Sequence, residues 1–244
     1  MTDPTIQTSP RLRARIAGVL YIIIMALALF GPFPVAPSGL ARADAATTVD
    51  KIIASKSMYS LGGAAELIVY TCDIGVALIF YGLLAPVNRN LSLLALLLRI
   101  IYVAVAIANV LNHFAVLLVL SGNHYLTAFQ PDQLRAAAAA FVRLHTVGFD
   151  IALVFFGLHC LVAGYLFSRS NFFPRILGIL LAIAGVAYLM NSYASFVSPS
   201  RAAELFRYTL PFGVGEVLLP IWLVTMGVNS QRWTEQARAL EPQK

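Results

Sequence analysis

The sequence predicts an all-α integral membrane protein with six transmembrane helices, and three observations carry that prediction. Hydrophobic residues fill 59% of the 244 positions and charged residues 11%, against roughly a half and a quarter in a soluble domain. The apolar residues gather into runs near the roughly 20 residues that cross a bilayer core of about 30 Å. No period-two alternation runs through them, which excludes a closed barrel and leaves helices to satisfy the backbone in lipid. No stretch remains for a soluble catalytic domain, so any activity lies within the bilayer or at its faces.

Breaks at Pro, Gly, Asn and charged residues place the spans at Arg15–Phe30, Tyr59–Leu84, Leu91–Leu120, Ala136–Phe167, Arg175–Phe196 and Phe206–Val228. Residues 1–14 and 229–244 are then tails around a six-helix domain, 15–228, with a long connecting segment at 31–58. Read differently, the first run is a cleaved signal peptide, since Ala41-Arg42-Ala43 has the spacing of a cleavage site, and five spans would remain. Against this, Arg11, Arg13 and Arg15 lie far from Met1 and the candidate site lies far past the apolar run. The weakly amphipathic stretch from Ala43 to Ser57 is expected to form a short helix on the outer surface.

The net charge of +6 sets the orientation rather than a nucleic-acid surface, because no basic run interleaves with aromatic residues. With both termini cytoplasmic, Arg11, Arg13, Arg15, Arg89, Arg169, Arg175, Arg232, Arg238 and Lys244 fall inside, and Arg42, Lys51, Lys56, Arg135, Arg201 and Arg207 outside. Three of the six outer residues lie in the long segment between the first two spans, and charges in long loops count less. Cys72 and Cys160 both sit in apolar runs, so neither a disulfide framework nor a paired-cysteine zinc site is expected.

Each outside-to-inside helix carries one acid near mid-membrane: Asp73, Asp150 and Glu216, with Glu66, Arg143 and Thr209 seven residues upstream on the same face. The text from Asp73 to Leu83 parallels that from Asp150 to Leu158, and Arg15–Leu20 parallels Arg175–Leu180. Three helical hairpins in parallel repeat explain this, as does chance likeness among Leu/Ala/Gly-rich helices.

Ionisable groups at the bilayer centre cost at least about 2.5 to 3.5 kcal/mol each, which makes them candidate functional residues. Glu66 and Asp73 share a face of the second helix; Arg99 and His113 share a stripe of the third, with Asn109 and Asn112 beside His113. On the fourth, Arg143 and Asp150 lie on one side and His145 and His159 nearly opposite, so that helix should be buried on both sides. Depth along the helices matches Asp73 to Arg99 and Glu66 to Arg143 as ion pairs, whose role is either structural or functional. That leaves Asp150 and Glu216 without an arginine, to be carried as neutral acids. Pro211, Gly213, Gly215 and Pro220 around Glu216 point to either a broken or a simply kinked sixth helix.

A metal centre has ligand types available in His113, His145, Glu66 and Asp150, but His145 and Asp150 are five residues apart and no His-x-x-x-His or Glu-x-x-His pair exists. The expectation is therefore no metal and no cofactor. No glycine-rich phosphate loop, lipid-attachment motif or serine elbow is present.

The runs Arg15–Tyr21, Tyr81 to Pro86-Val87-Asn88-Arg89, Asp150 to His159 with Gly164-Tyr165-Leu166, and Pro174–Gly178 together resemble the bacterial membrane family catalogued as domain of unknown function 4386. The resemblance spans Arg15 to Val228 and implies a prokaryotic cytoplasmic membrane protein. It assigns no catalytic residue.

The reading that follows is a polar intramembrane cavity, open to the outer side, that binds a small ligand or exchanges protons. Glu66, Asp73, Asp150 and Glu216 supply its acids, Arg99 and Arg143 the counter-ions, and Asn109, His113 and His145 the polar neighbours. The competing readings are an intramembrane enzyme centred on His113, His145 and Asp150, and a non-catalytic assembly partner. A lipid bilayer is the one certain contact expected; a protein partner or a second copy is left open.

Overall fold

The computed structural model describes residues 9–30 and 45–239, and no strand occurs among them. Its helices are α1 (Pro10–Phe30), α2 (Ala45–Ala54), α3 (Lys56–Leu84), α4 (Arg89–Val119), α5 (Pro131–Arg169), α6 (Arg175–Val197), α7 (Pro199–Thr209), α8 (Val214–Thr225) and α9 (Ser230–Arg238). The Ala41-Arg42-Ala43 site, the first part of the 31–58 segment and the outermost tail residues, Lys244 among them, lie outside the described residues.

Local chemistry sets the boundaries. Pro86 stops α3, and Asn88 restarts the chain as α4 by accepting from Leu91 N at 3.0 Å. Pro131 opens α5 behind a capping box in which Gln130 N donates to Gln133 Oε1 at 3.0 Å. Past the end of α8, Gly227 takes a φ of +67°, a conformation that L side chains rarely adopt.

Among the described residues, five segments are long and apolar enough to cross a membrane: α3, α4, α5, α6, and the stretch Pro199–Thr225 that includes α7 and α8. The last of these is interrupted by a 3-10 turn, Leu210–Gly213, which contains Pro211. The helix-interior proline, Pro220, lies further on in α8, so the interruption falls one turn ahead of Glu216. α1 is a further apolar helix of 21 residues.

The packing closes a ring. α3 packs on α4, α4 on α5, α5 on α6 and α6 on α8, while α1 bridges α8 and α3. The outward faces are apolar, with Leu61, Leu78, Leu111 and Ile176 each more than half exposed, as a surface solvated by lipid tails requires. At one end α9 ties the connections together: Trp233 Nε1 donates to Leu83 O at 2.9 Å, and Asn171 N to Gln236 Oε1 at 3.2 Å. At the other end lies α2, which fills most of the expected amphipathic stretch. Its Val49 and Ile52 are buried against Tyr59, Val116 and Ala138, and its Asp50 pairs with Arg135 of α5. Its apolar face is thus turned onto the bundle.

Candidate functional site

Inside the ring, the polar side chains fall into two groups. The first is built around Arg99 of α4, whose side chain is 1% exposed. Its Nε donates to Asp73 Oδ1 at 2.8 Å and its Nη2 pairs with the same oxygen, so the ion pair expected from depth is present. Nη1 lies 3.2 Å from His159 Nε2, and His159 Nδ1 lies 2.8 Å from Ala95 O. A carbonyl only accepts, so Nδ1 carries the proton and Nε2 accepts from the guanidinium. The rings of Tyr21, Phe80 and Phe156 surround the guanidinium carbon at 5.2, 5.8 and 5.4 Å, within reach of cation–π attraction. Beside this cluster, Glu216 accepts from Tyr21 Oη at 3.1 Å and from Tyr188 Oη.

Of these residues Tyr21, Asp73, Arg99, Phe156, Tyr188 and Glu216 border a cavity of about 790 Å³. It runs from Asp73 and Arg99 at mid-bundle, past Arg143 and Asp150, to Pro199 and Ala202 of α7 at the end where α2 lies. Most of the remaining wall is apolar, from α1, α5, α6 and α8.

The second group lies nearer α2 and outside the cavity wall. Glu66 of α3 meets His113 of α4 and His145 of α5: Oε1 is 3.2 Å from His113 Nδ1 and Oε2 is 3.1 Å from His145 Nε2. The Glu66 and His113 side chains are 4% and 5% exposed, and that of His145 14%. Asn109 donates through Nδ2 to His145 O at 2.7 Å and accepts from Asn112 Nδ2 at 3.0 Å.

The expected Glu66–Arg143 pair is therefore replaced. Arg143 stands two residues before His145, roughly 200° around α5. With His145 turned onto Glu66, Arg143 faces the cavity on the side of Asp150. Depth along a helix fixes height and says nothing of the direction a side chain faces. Glu216, expected to lack an arginine, is met by two tyrosine hydroxyls instead. Sequence patterns do not single out Tyr21, Tyr188 or His159 as site residues. Only His159 carries a visible signal, being on the same face of α5 as His145.

Of the site candidates, Asp73, Arg99, Arg143, Asp150 and Glu216 border the cavity, and Glu66, Asn109, His113 and His145 form the second group. The four ligand types weighed for a metal divide likewise: Glu66, His113 and His145 converge, with one ligand atom from each all within 4.8 Å of one another, while Asp150 lies on the cavity side.

No solved structure matches the chain. A protein of Archaeoglobus fulgidus described as "Uncharacterized protein" is 32% identical over 171 residues, covering 70% of this chain and 85% of that one. Residues 16–227 match the family described as Domain of unknown function (DUF4386), and with that match over most of its length the chain belongs to this family.

Proposed function

We propose that the protein is a six-span protein of the cytoplasmic membrane, with α1 the first span and the interrupted α7–α8 stretch the last, that binds a small amphipathic molecule at the centre of its helix ring. The observation that carries this reading is the cavity of about 790 Å³, in which apolar walls meet a floor bearing Asp73, Arg99 and Glu216. Ligand sites commonly have volumes of about 300 to 1,000 Å³ and join apolar linings to a few fixed polar groups. Register is explanation enough for a buried ion pair packed on all sides; this one borders open volume. Asn191 also borders the cavity, and its buried Oδ1 has no hydrogen-bond donor among the described residues.

Asp73, Asp150 and Glu216, the three acids of the suspected repeat, border one cavity, which favours three repeated hairpins over chance likeness. The arginines near α9 and those of the α1 N-terminus support cytoplasmic termini. The cavity then opens to the outer side, and a ligand entering past α7 meets Arg143 and Asp150 first.

The test is native mass spectrometry of the full chain extracted from its host membrane in mild detergent. A discrete small molecule should stay bound, and Glu216→Gln and Arg143→Gln should each weaken its retention by about tenfold, equivalent to about 1.4 kcal/mol. Wild-type protein carrying nothing beyond bulk lipid, or equal retention by both variants, overturns the reading.

A further inference from the structure

We propose that Glu66, His113 and His145 form a zinc site. It stands apart from the cavity reading, because none of the three borders the cavity. The argument starts with the protons. His113 Nε2 lies 2.8 Å from Tyr59 O, and a carbonyl oxygen only accepts, so Nε2 carries a proton. In the neutral ring Nδ1 is then a bare acceptor, and it faces a carboxylate oxygen, also an acceptor, at 3.2 Å. Two acceptors at that distance require a cation between them, a second proton or a metal ion. His145 Nε2 sits 3.1 Å from the other oxygen of the same carboxylate, so two imidazole nitrogens flank one carboxylate.

The geometry accommodates the metal. Zinc bonds to histidine nitrogen and carboxylate oxygen are about 2.0 to 2.2 Å long, so neighbouring ligand atoms on a tetrahedron lie about 3.4 Å apart. Each nitrogen stands near that edge from its own carboxylate oxygen, at 3.2 and 3.1 Å, and with one ligand atom taken from each residue the three lie within 4.8 Å of one another. Two imidazoles and a carboxylate suit zinc better than magnesium or calcium, which take oxygen shells. Three protein ligands leave a fourth tetrahedral position for water or a ligand, as in zinc sites that are not closed by protein alone.

The surroundings hold the ligands as metal sites require. A metal-bound histidine commonly donates its other ring N–H to a carbonyl, as His113 does to Tyr59. The Tyr59 ring stacks on the His113 ring at 3.9 Å between centroids. On another side Gly63 leaves no spare room: a Cβ there would stand 2.8 Å from His113 Cδ2. The backbone of His145 is anchored through its carbonyl by Asn109. Each ligand comes from a different helix, α3, α4 and α5, so the ion would also fasten three spans together.

The experiment strips the full-length protein with EDTA in detergent, adds one equivalent of zinc chloride, removes the excess by gel filtration and measures zinc by mass spectrometry. About one zinc per chain is expected, with affinity falling by more than about tenfold in Glu66→Gln, His113→Gln and His145→Gln. No zinc retained by the wild type, or equal retention by all three variants, overturns the site. Should the variants fail to fold, X-ray absorption of the zinc-loaded wild type decides: two imidazoles and oxygen at about 2.0 Å support the site. A shell of oxygen alone means surface-bound ion and removes it, leaving a doubly protonated His113 on Glu66. Loss of cavity ligand leaves these results unchanged, so the two proposals fail separately.

Discussion

Arg99 is a buried cation with several partners, and its surroundings explain how it persists there. Asp73 supplies the opposite charge, His159 accepts a further N–H, and three aromatic rings present their faces. Breaking a buried pair from one side is costly because the remaining charge is left uncompensated. Asp73→Asn and Arg99→Gln are each expected to lose about 3 to 5 kcal/mol, and the double variant less than either single one. Thermal unfolding in detergent measures it; a double variant no more stable than Arg99→Gln alone rules out the coupling. This pair is readable from sequence because both residues lie at matching depth on consecutive spans. Depth gives Glu66 the wrong partner because Arg143 and His145 stand at nearly the same height and differ in direction, which only the packing of α5 between α4 and α6 decides. The tyrosines on Glu216 are hidden for another reason, since a hydroxyl in an apolar run looks like any other aromatic packing residue.

At the scale of elements, the α5–α6 contact depends on glycine. Gly157 and Gly164 of α5 face Gly185 and Gly178 of α6, and the backbones approach until no Cβ fits. A Cβ on Gly164 would stand 2.6 Å from Gly178 O, and one on Gly185 2.7 Å from Gly157 O. Small residues drive such contacts in membranes, where dispersion and close backbone approach replace the hydrophobic effect. Gly164→Ala and Gly185→Ala should each cost about 1 to 3 kcal/mol by overpacking. At Gly213 a Cβ would meet nothing within 4 Å, and φ is an ordinary −68°, so Ala there should add about 0.4 to 1 kcal/mol. Chemical denaturation of the three variants in one detergent checks both signs, and a Gly164→Ala protein as stable as wild type means the helices can part without loss. The seven-residue spacing of both glycine pairs is present in the sequence, but glycine is common in membrane helices, so spacing alone does not reveal the crossing. The interruption before Glu216 is legible to the extent that Pro211 and Gly213 mark it; what they could not fix is a 3-10 turn rather than a kink.

For the whole molecule, the sequence specifies the apolar outside and leaves the ring to be found. Composition and run length require lipid-facing helices whatever their order, whereas the closure of α1 onto α8 is a long-range contact that no local pattern encodes. The ends are another matter, because charge labels them: α9, the 170–174 connection and the 85–88 connection meet at one end, with Arg89, Arg169, Arg175 and Arg232 nearby in sequence and Arg11 and Arg13 nearby in space, beside Phe172 and Gly82. If arginine retention by the cytoplasmic face sets the topology, Asn88, Ser170 and Ser230 are cytoplasmic, and Ser55, Asn123 and Ser198 are outside. Single cysteines at these positions, with Cys72 and Cys160 replaced, can be probed in intact cells with an impermeant thiol reagent. Positions 55, 123 and 198 should label and positions 88, 170 and 230 should label only after the cells are opened. Asn88 is the most informative of the inner sites, because it is exposed whereas Ser170 is buried and would label slowly from either side. Prompt labelling at 88 in intact cells, with 123 protected, reverses the orientation, turns the cavity mouth towards the cytoplasm and makes its ligand an intracellular one.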